Sequence, residues 1–260
     1  GPYRTGTTWL YEYFRRHPEV SVPTKVKETF FFDMKYNKGF KWYSSHFKEN
    51  KKHKIRGEIA PSYFRSTEAA KRLLKMNPDI KVFFTLRDPV DRIISQYKHR
   101  VMKGKTSFKK SIIELYNENS AFRYATQYSI FISKWREIIP PENLYILKFE
   151  NFINDNQKYV NKICELLNIE KYNIPTKIKG KRGSSSIDPK LLFISRMGYK
   201  FINLARKLKL NFFIKLLKNI KIKSLLTTPN NNLDISNKNK KMLRNKLDKQ
   251  IDFFKSLNTD

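Results

Sequence analysis

Near the start of the chain, Gly1-Pro2-Tyr3-Arg4-Thr5-Gly6-Thr7-Thr8-Trp9-Leu10 sets two glycines five positions apart, followed by two hydroxyls and an apolar run. A nucleotide triphosphatase loop has this glycine spacing but places Lys after the second glycine to reach the β/γ-phosphates, and its hydroxyl holds Mg²⁺. Here Thr7 takes the Lys position, and the only cation, Arg4, lies inside the turn. Trp9, Leu10, Tyr13 and Phe14 give the next segment an apolar helical face. The backbone N–H groups of Thr5, Gly6, Thr7 and Thr8 would therefore open a helix and cradle an anion. The spacing predicts a site for a phosphate-like anion, and a phosphorylated donor other than ATP.

A second set of residues follows the clearest strand, Ile80 to Leu86, which is β-branched and aromatic. Arg87 stands at its carboxyl end, where open α/β sheets bind ligands. Asp88-Pro89 reads as an N-cap followed by Pro at the first helical position, so a helix starts there. Ser95 lies two turns into it, and Arg87 with Ser95 offers one phosphate a charged fork and a hydroxyl. His99 is i+4 from Ser95, on the same face, and its imidazole is one candidate general base. Glu28, on residue types alone, reads as an ion pair with Lys25 or Lys27.

Four segments together resemble the sulfotransferases that use 3′-phosphoadenylyl sulfate (PAPS). Pro2-Tyr3-Arg4-Thr5-Gly6-Thr7-Thr8-Trp9 is similar to their 5′-phosphosulfate loop, and Lys27-Glu28-Thr29-Phe30-Phe31-Phe32-Asp33 to the K-E-x-x-F-F-D segment of the heparan-sulfate branch. Gly57-Glu58-Ile59-Ala60-Pro61-Ser62-Tyr63-Phe64 resembles G-E-K-S-P-x-Y-F, with Ile59 where the family has Lys. Leu86-Arg87-Asp88-Pro89-Val90-Asp91-Arg92-Ile93-Ile94-Ser95-Gln96-Tyr97 resembles L-R-[DN]-P-x-[DE]-R-x-x-S-x-Y. The resemblance runs to about Asn168 and returns at Lys179-Gly180-Lys181-Arg182-Gly183 and in the last helix.

The resemblance implies Glu28 as catalytic base and Arg4 as the cation on the leaving bisphosphate. Thr5, Gly6, Thr7 and Thr8 would hold the 5′-phosphosulfate, and Trp9 would stack on adenine. Arg87, Ser95, Lys179, Gly180 and Lys181 would surround the 3′-phosphate. No metal is expected. The acceptor would be a hydroxyl or amine of a carbohydrate or lipid-linked molecule. A P-loop kinase with Arg87-Asp88 as a degenerate Walker B is the rival, although it needs the missing Lys. A non-catalytic bisphosphate-binding or membrane-surface protein is the third class.

Composition bounds these readings. The chain has 260 residues and a formal net charge of +31. That field would steer an anionic donor, although Lys, Asn, Ile, Tyr and Phe abundance also fits an AT-rich coding bias. No nucleic-acid-binding module is visible, so no nucleic acid is expected. Cys164 is the only cysteine, placed on a helical pattern for packing. Without the disulfide common in the secretory heparan-sulfate enzymes, a reducing, cytoplasmic setting is expected. A strand should feed the first loop, so the sequence reads as lacking its N-terminal strand, and an upstream anchor stays open.

The elements that must position these residues alternate between strand and helix. Helices are expected over Thr7 to Arg16, Lys38 to Lys48, Ser66 to Met76, from Pro89, over Phe122 to Ile139, Asn156 to Leu167 and Ser236 to Leu257. Strands are expected over Lys54 to Ala60, Ile80 to Leu86 and Asn143 to Lys148. The pattern predicts one α/β domain over residues 1–260, a P-loop-like parallel sheet flanked by helices, with a basic helical C-terminal region. Residues 188–226 are basic and amphipathic, and suit either packing on the core or peripheral contact with an anionic membrane.

Overall fold

The computed structural model describes residues 1–48, 50–103, 105–107, 110–179 and 235–257. The helices are α1 Thr7–Phe14, α2 Phe31–Met34, α3 Gly39–Ser44, α4 Thr67–Met76, α5 Pro89–Met102, α6 Ile112–Glu118, α7 Ser120–Tyr124, α8 Tyr128–Arg136, α9 Phe149–Asn154, α10 Asn156–Leu167 and α11 Asn237–Ser256. The strands are β1 Val20–Ser21, β2 Ile55–Arg56, β3 Val82–Leu86 and β4 Leu144–Lys148. By internal contacts the described chain divides into one compact unit of residues 1–92, 123–179 and 247–257, and a second of residues 93–122 and 235–246.

In the first unit β3 and β4 pair in parallel, from Val82 opposite Leu144 to Leu86 opposite Lys148. Because side chains alternate along a strand, the pair is buried on both faces. Phe84, Leu86, Leu144 and Ile146 join a core with α4 and α8, built around Phe64, Tyr128, Ile132 and Trp135. Phe83 and Leu147 point into the other core, with Trp9, Tyr13, Val160 and Cys164 from α1 and α10. Cys164 is fully buried there, in the packing role expected of it. The short pair β1–β2 is also parallel. A cavity of about 480 Å³ is lined by β2, β3 and Gly1, among others.

Local signals account for several boundaries. The Ser66 hydroxyl accepts from the Ala69 amide at 3.0 Å and starts α4. Asp88 Oδ1 accepts from the Asp91 amide at 2.9 Å and starts α5 at Pro89. α10 spans the expected residues. One expected helix is two: the run from Phe122 to Ile139 breaks between α7 and α8. There the fully buried Arg92 donates from Nε (3.2 Å) and Nη2 (2.5 Å) to Thr126 Oγ1. A buried guanidinium needs acceptors, and satisfying it fixes Thr126 in the break. The strand expected over Lys54 to Ala60 is limited to Ile55–Arg56, because its partner β1 holds two residues and runs into Pro23, which lacks an N–H. In the second unit, α6 is opened by a capping box between Ser111 and Glu114, a sequence signature that reading by hydrophobic period missed. The segment 188–226 lies outside the described residues.

Candidate functional site

The first loop is braced against the end of β3. A Cβ on Gly1 would lie 2.0 Å from the Thr85 carbonyl oxygen, so no side chain fits there. Thr5 is fully buried; its hydroxyl donates to the Pro2 carbonyl at 2.8 Å and meets Thr85 Oγ1 at 2.8 Å. Its side chain is therefore a strut rather than an open ligand. The turn then takes two left-handed residues, Arg4 at φ 78° and Gly6 at φ 81°. For Arg4 this conformation costs about 1–3 kcal/mol, of the kind kept at functional sites. Gly6 is also tight against Phe149, whose Cε2 would sit 2.7 Å from an added Cβ.

From this turn α1 starts with the Gly6 carbonyl accepting the Trp9 and Leu10 amides at 2.9 and 3.1 Å. No side chain caps the helix, and its first turn holds no acidic residue. The uncapped amides and the positive end of the helix dipole favour an anion at this turn.

Two guanidiniums serve the same turn. Burial, and then the positive charge of Arg87, hold the Arg4 guanidinium below its ordinary value. Arg87 follows Leu86 at the end of β3, its carbonyl accepting from the Tyr128 hydroxyl at 2.9 Å. Its guanidinium carbon lies 5.2 Å from the centroid of the Phe149 ring, and its Nη2 is 3.7 Å from Asp91 Oδ2. Its Nε is buried without a hydrogen-bond partner. Phe149 thus touches Gly6 of the loop and carries Arg87. Sequence reading overlooked Phe149, which no motif marks. Like charges with an orphaned buried donor would be relieved by a multiply charged anion.

The charge of the candidate base is felt at Tyr3 of the loop. Burial and then the Glu28 charge push the Tyr3 phenol up, with Arg65 opposing and Asp33 adding to the rise. Glu28 Oε1 accepts from Lys27 Nζ at 2.8 Å, with the two side chains 16% and 22% exposed. The pairing with Lys27 that residue types anticipated is present, in a partly buried setting beside the loop. Behind it lies Glu58, pushed up by burial and by the Glu28 charge, although hydrogen bonds from Thr29 and Tyr63 oppose the rise. Phe30 sits at φ 58°, an outlier for a bulky side chain.

The remaining residues are less concentrated. Thr7 is buried and Thr8 exposed at the start of α1. Trp9 is 8% exposed inside the core, parallel to Tyr13 at 5.9 Å and edge-on to Phe152 at 4.7 Å. Its indole N–H donates to the Ile178 carbonyl at 3.2 Å, which brings Lys179, the next residue, to the flank of α1. Gly180 and Lys181 lie outside the described residues. Ser95, buried, and His99, half-buried, belong to α5 in the second unit. Among the described residues no group of three His, Cys, Asp or Glu side chains is placed to hold a metal ion.

The fold is that of a P-loop-like α/β protein, with an uncapped helix start and two guanidiniums at the end of its central strands. A sulfotransferase-domain family model matches residues 1–179, and the chain belongs to that family. Human heparan sulfate glucosamine 3-O-sulfotransferase 6 is 28% identical over 178 residues, covering 66% of this chain and 51% of that protein. Membrane-associated sulfotransferase kil1 of Dictyostelium discoideum is 36% identical over 100 residues, covering 37% of this chain and 21% of that protein. The solved sulfotransferase of Alicyclobacillus acidocaldarius aligns with a TM-score of 0.61 at 22% identity, covering 73% of this chain and 85% of that one, a likeness of fold. The chain spans about half the length, or less, of these curated relatives.

Proposed function

We propose that this chain is a PAPS-dependent sulfotransferase that moves a sulfuryl group to a hydroxyl or amine of a carbohydrate or lipid-linked acceptor. The observation that carries the reading is the uncapped start of α1, entered through the left-handed Arg4 and Gly6, with Phe149 set against Gly6 and carrying Arg87 on its ring. PAPS supplies an activated sulfuryl group on a phosphate leaving group. The amides of Gly6, Thr7 and Thr8 would hold its 5′-phosphosulfate end, and Arg87, Ser95 and Lys179 with Gly180 and Lys181 its 3′-phosphate. Trp9, expected to stack on adenine, is instead packed in the core against Tyr13 and Phe152, so it holds the segment before Lys179 rather than the base.

In the transfer, the donor S–O bond breaks as the acceptor oxygen bonds to sulfur. Glu28 would take the acceptor proton, the role of a general base. Arg4 would balance the charge developing on the departing phosphate oxygen. Since a guanidinium is effectively never deprotonated, Arg4 acts as a fixed charge and not as an acid. The donor reading favours PAPS over ATP because Thr7 occupies the Lys position of a nucleotide triphosphatase loop.

The acceptor class rests on the K-E-T-F-F-F-D segment at 27–33 and on relatives whose names specify heparan sulfate glucosamine. We place the activity in the cytoplasm. Contact with an anionic membrane through 188–226 is supported by that segment's basic amphipathic sequence and by a relative described as membrane-associated. Among the described residues no helix is long and apolar enough to cross a membrane. Incubation with sulfur-labelled PAPS and separate acceptors (heparan sulfate, neutral glycans, a lipid-linked saccharide and a phenol) in EDTA tests the reading. Label on a glycan or lipid-linked saccharide is the expected result. Label on the phenol alone would refute the acceptor class, and turnover of ATP in place of PAPS would refute the donor.

A further inference from the structure

We infer that Glu58 is a positioning residue for Glu28, acting through the backbone of Thr29; the inference rests on the reading of Glu28 as the base. Glu58 leaves the carboxyl end of β2, just after Gly57 extends the β1–β2 ladder by donating to the Ser21 carbonyl at 2.9 Å. Its carboxylate reaches the 28–32 segment from the end of that ladder. Glu58 Oε1 accepts from the Thr29 amide at 2.5 Å, and Oε2 accepts from the Thr29 hydroxyl at 3.0 Å and the Tyr63 hydroxyl at 2.8 Å. Two further amides are secured one step out: Phe31 donates to Thr29 Oγ1 at 3.1 Å and Phe32 to the Tyr63 hydroxyl at 3.3 Å.

Thr29 and Tyr63 are buried, at 1% and 8% exposure, so these bonds are shielded from water. The segment they hold contains the left-handed Phe30. Without an external hold, a chain with that outlier would relax, and the residue before Thr29 would move with it.

An apolar residue could fill the space of Glu58 but could not bind three donors. A carboxylate in this position costs desolvation, and burial does push its proton affinity up. Retaining a charge there makes physical sense if the position of the 28–32 backbone matters. Small misplacements of a catalytic group cost rate steeply, and a base held by its own backbone is the cheapest to keep aligned.

The test has an acceptor-free arm and a kinetic arm. Glu58→Gln conserves shape but leaves one accepting oxygen, so the Thr29 and Tyr63 hydroxyls must turn from donating to accepting, and the charge-assisted strength of all three bonds is lost. With the 3′,5′-bisphosphate bound, amide exchange over 28–32 should quicken about tenfold or more, while segments in the β3–β4 core stay unchanged. Unchanged exchange at 28–32 overturns the inference. On heparan sulfate, or on whichever acceptor of the panel takes label, kcat should fall about tenfold or more with the donor KM held. Glu58→Gln added to Glu28→Gln should cost nothing further, because the role runs through Glu28. Additive losses would mark general structural damage and overturn the inference while leaving Glu28 as base. Full kcat in Glu28→Gln would overturn the base reading, and this one with it. If Glu58→Gln fails to fold, Thr29→Val, which removes the hydroxyl and keeps the amide, carries the same comparisons.

Discussion

Replacing Arg87 with Ala tests whether the paired guanidiniums form the donor site. The residue is held in the fold by little: a ring contact with Phe149 at 5.2 Å and an Asp91 pair at 3.7 Å whose carboxylate is 57% exposed. The ring contact contributes about 0.5–1 kcal/mol, and the pair, screened by solvent, about 0–1 kcal/mol. Its removal also relieves the repulsion that, after burial, holds Arg4 below its ordinary value. Stability should fall by only about 1 kcal/mol, a drop of about 2–4 °C in Tm for a chain of this size. Affinity behaves differently. The buried Nε lacks a partner in the free protein, so a phosphate would gain a charge-assisted bond worth about 1.5–3 kcal/mol. At about 1.4 kcal/mol per decade, the Kd for the 3′,5′-bisphosphate should rise about 10- to 150-fold. Calorimetry on wild-type and Arg87→Ala protein measures this, with thermal unfolding as the control for folding. Unchanged affinity in a folded variant would remove Arg87 from the site and refute the paired-guanidinium reasoning.

Binding of the bisphosphate should survive EDTA, since Arg4 and Arg87 supply its countercharge; titrations with and without chelator decide, and loss on chelation would argue for a metal-dependent kinase site. Glu28→Gln should keep fold and donor affinity while kcat falls by about 10²–10⁴. His99→Gln is its control: a loss there with near-full kcat in Glu28→Gln would move the base to α5. Gly6→Ala should destabilise the fold by about 1–3 kcal/mol and weaken bisphosphate binding, because an L side chain is strained at φ 81° and meets Phe149; a calorimetric scan with unchanged Tm would refute it. Ser66→Ala removes only the cap of α4. It should cost about 1 kcal/mol in denaturant titration and leave bisphosphate affinity untouched.

Sequence alone determined the parts whose causes are local. β-Branched and aromatic residues and a following Asp-Pro located β3 and α5, and Ser66 marked the start of α4 within a residue. The glycine spacing with Arg4 inside the turn predicted an anion loop of non-triphosphatase type. What stayed illegible depended on partners distant in the chain. Nothing near Thr126 announces that a buried Arg92 splits a helix there. Phe149 carries no motif, yet it joins Gly6 to Arg87 across more than half the described chain. Glu58 was read as one letter of a motif, and only its three bonds to Thr29 and Tyr63 distinguish it from a solvated acid.

The division follows from the range of the forces. Caps, turns and hydrophobic period act over a few residues and leave a readable trace in the sequence. Burial of a charge and satisfaction of its hydrogen bonds are decided by whatever side chains the packed fold brings alongside. The residue types that could bind an anion were therefore visible from the start, whereas the closeness of Arg4 to Arg87, and of Glu28 to Tyr3 and Glu58, was settled only by tertiary structure.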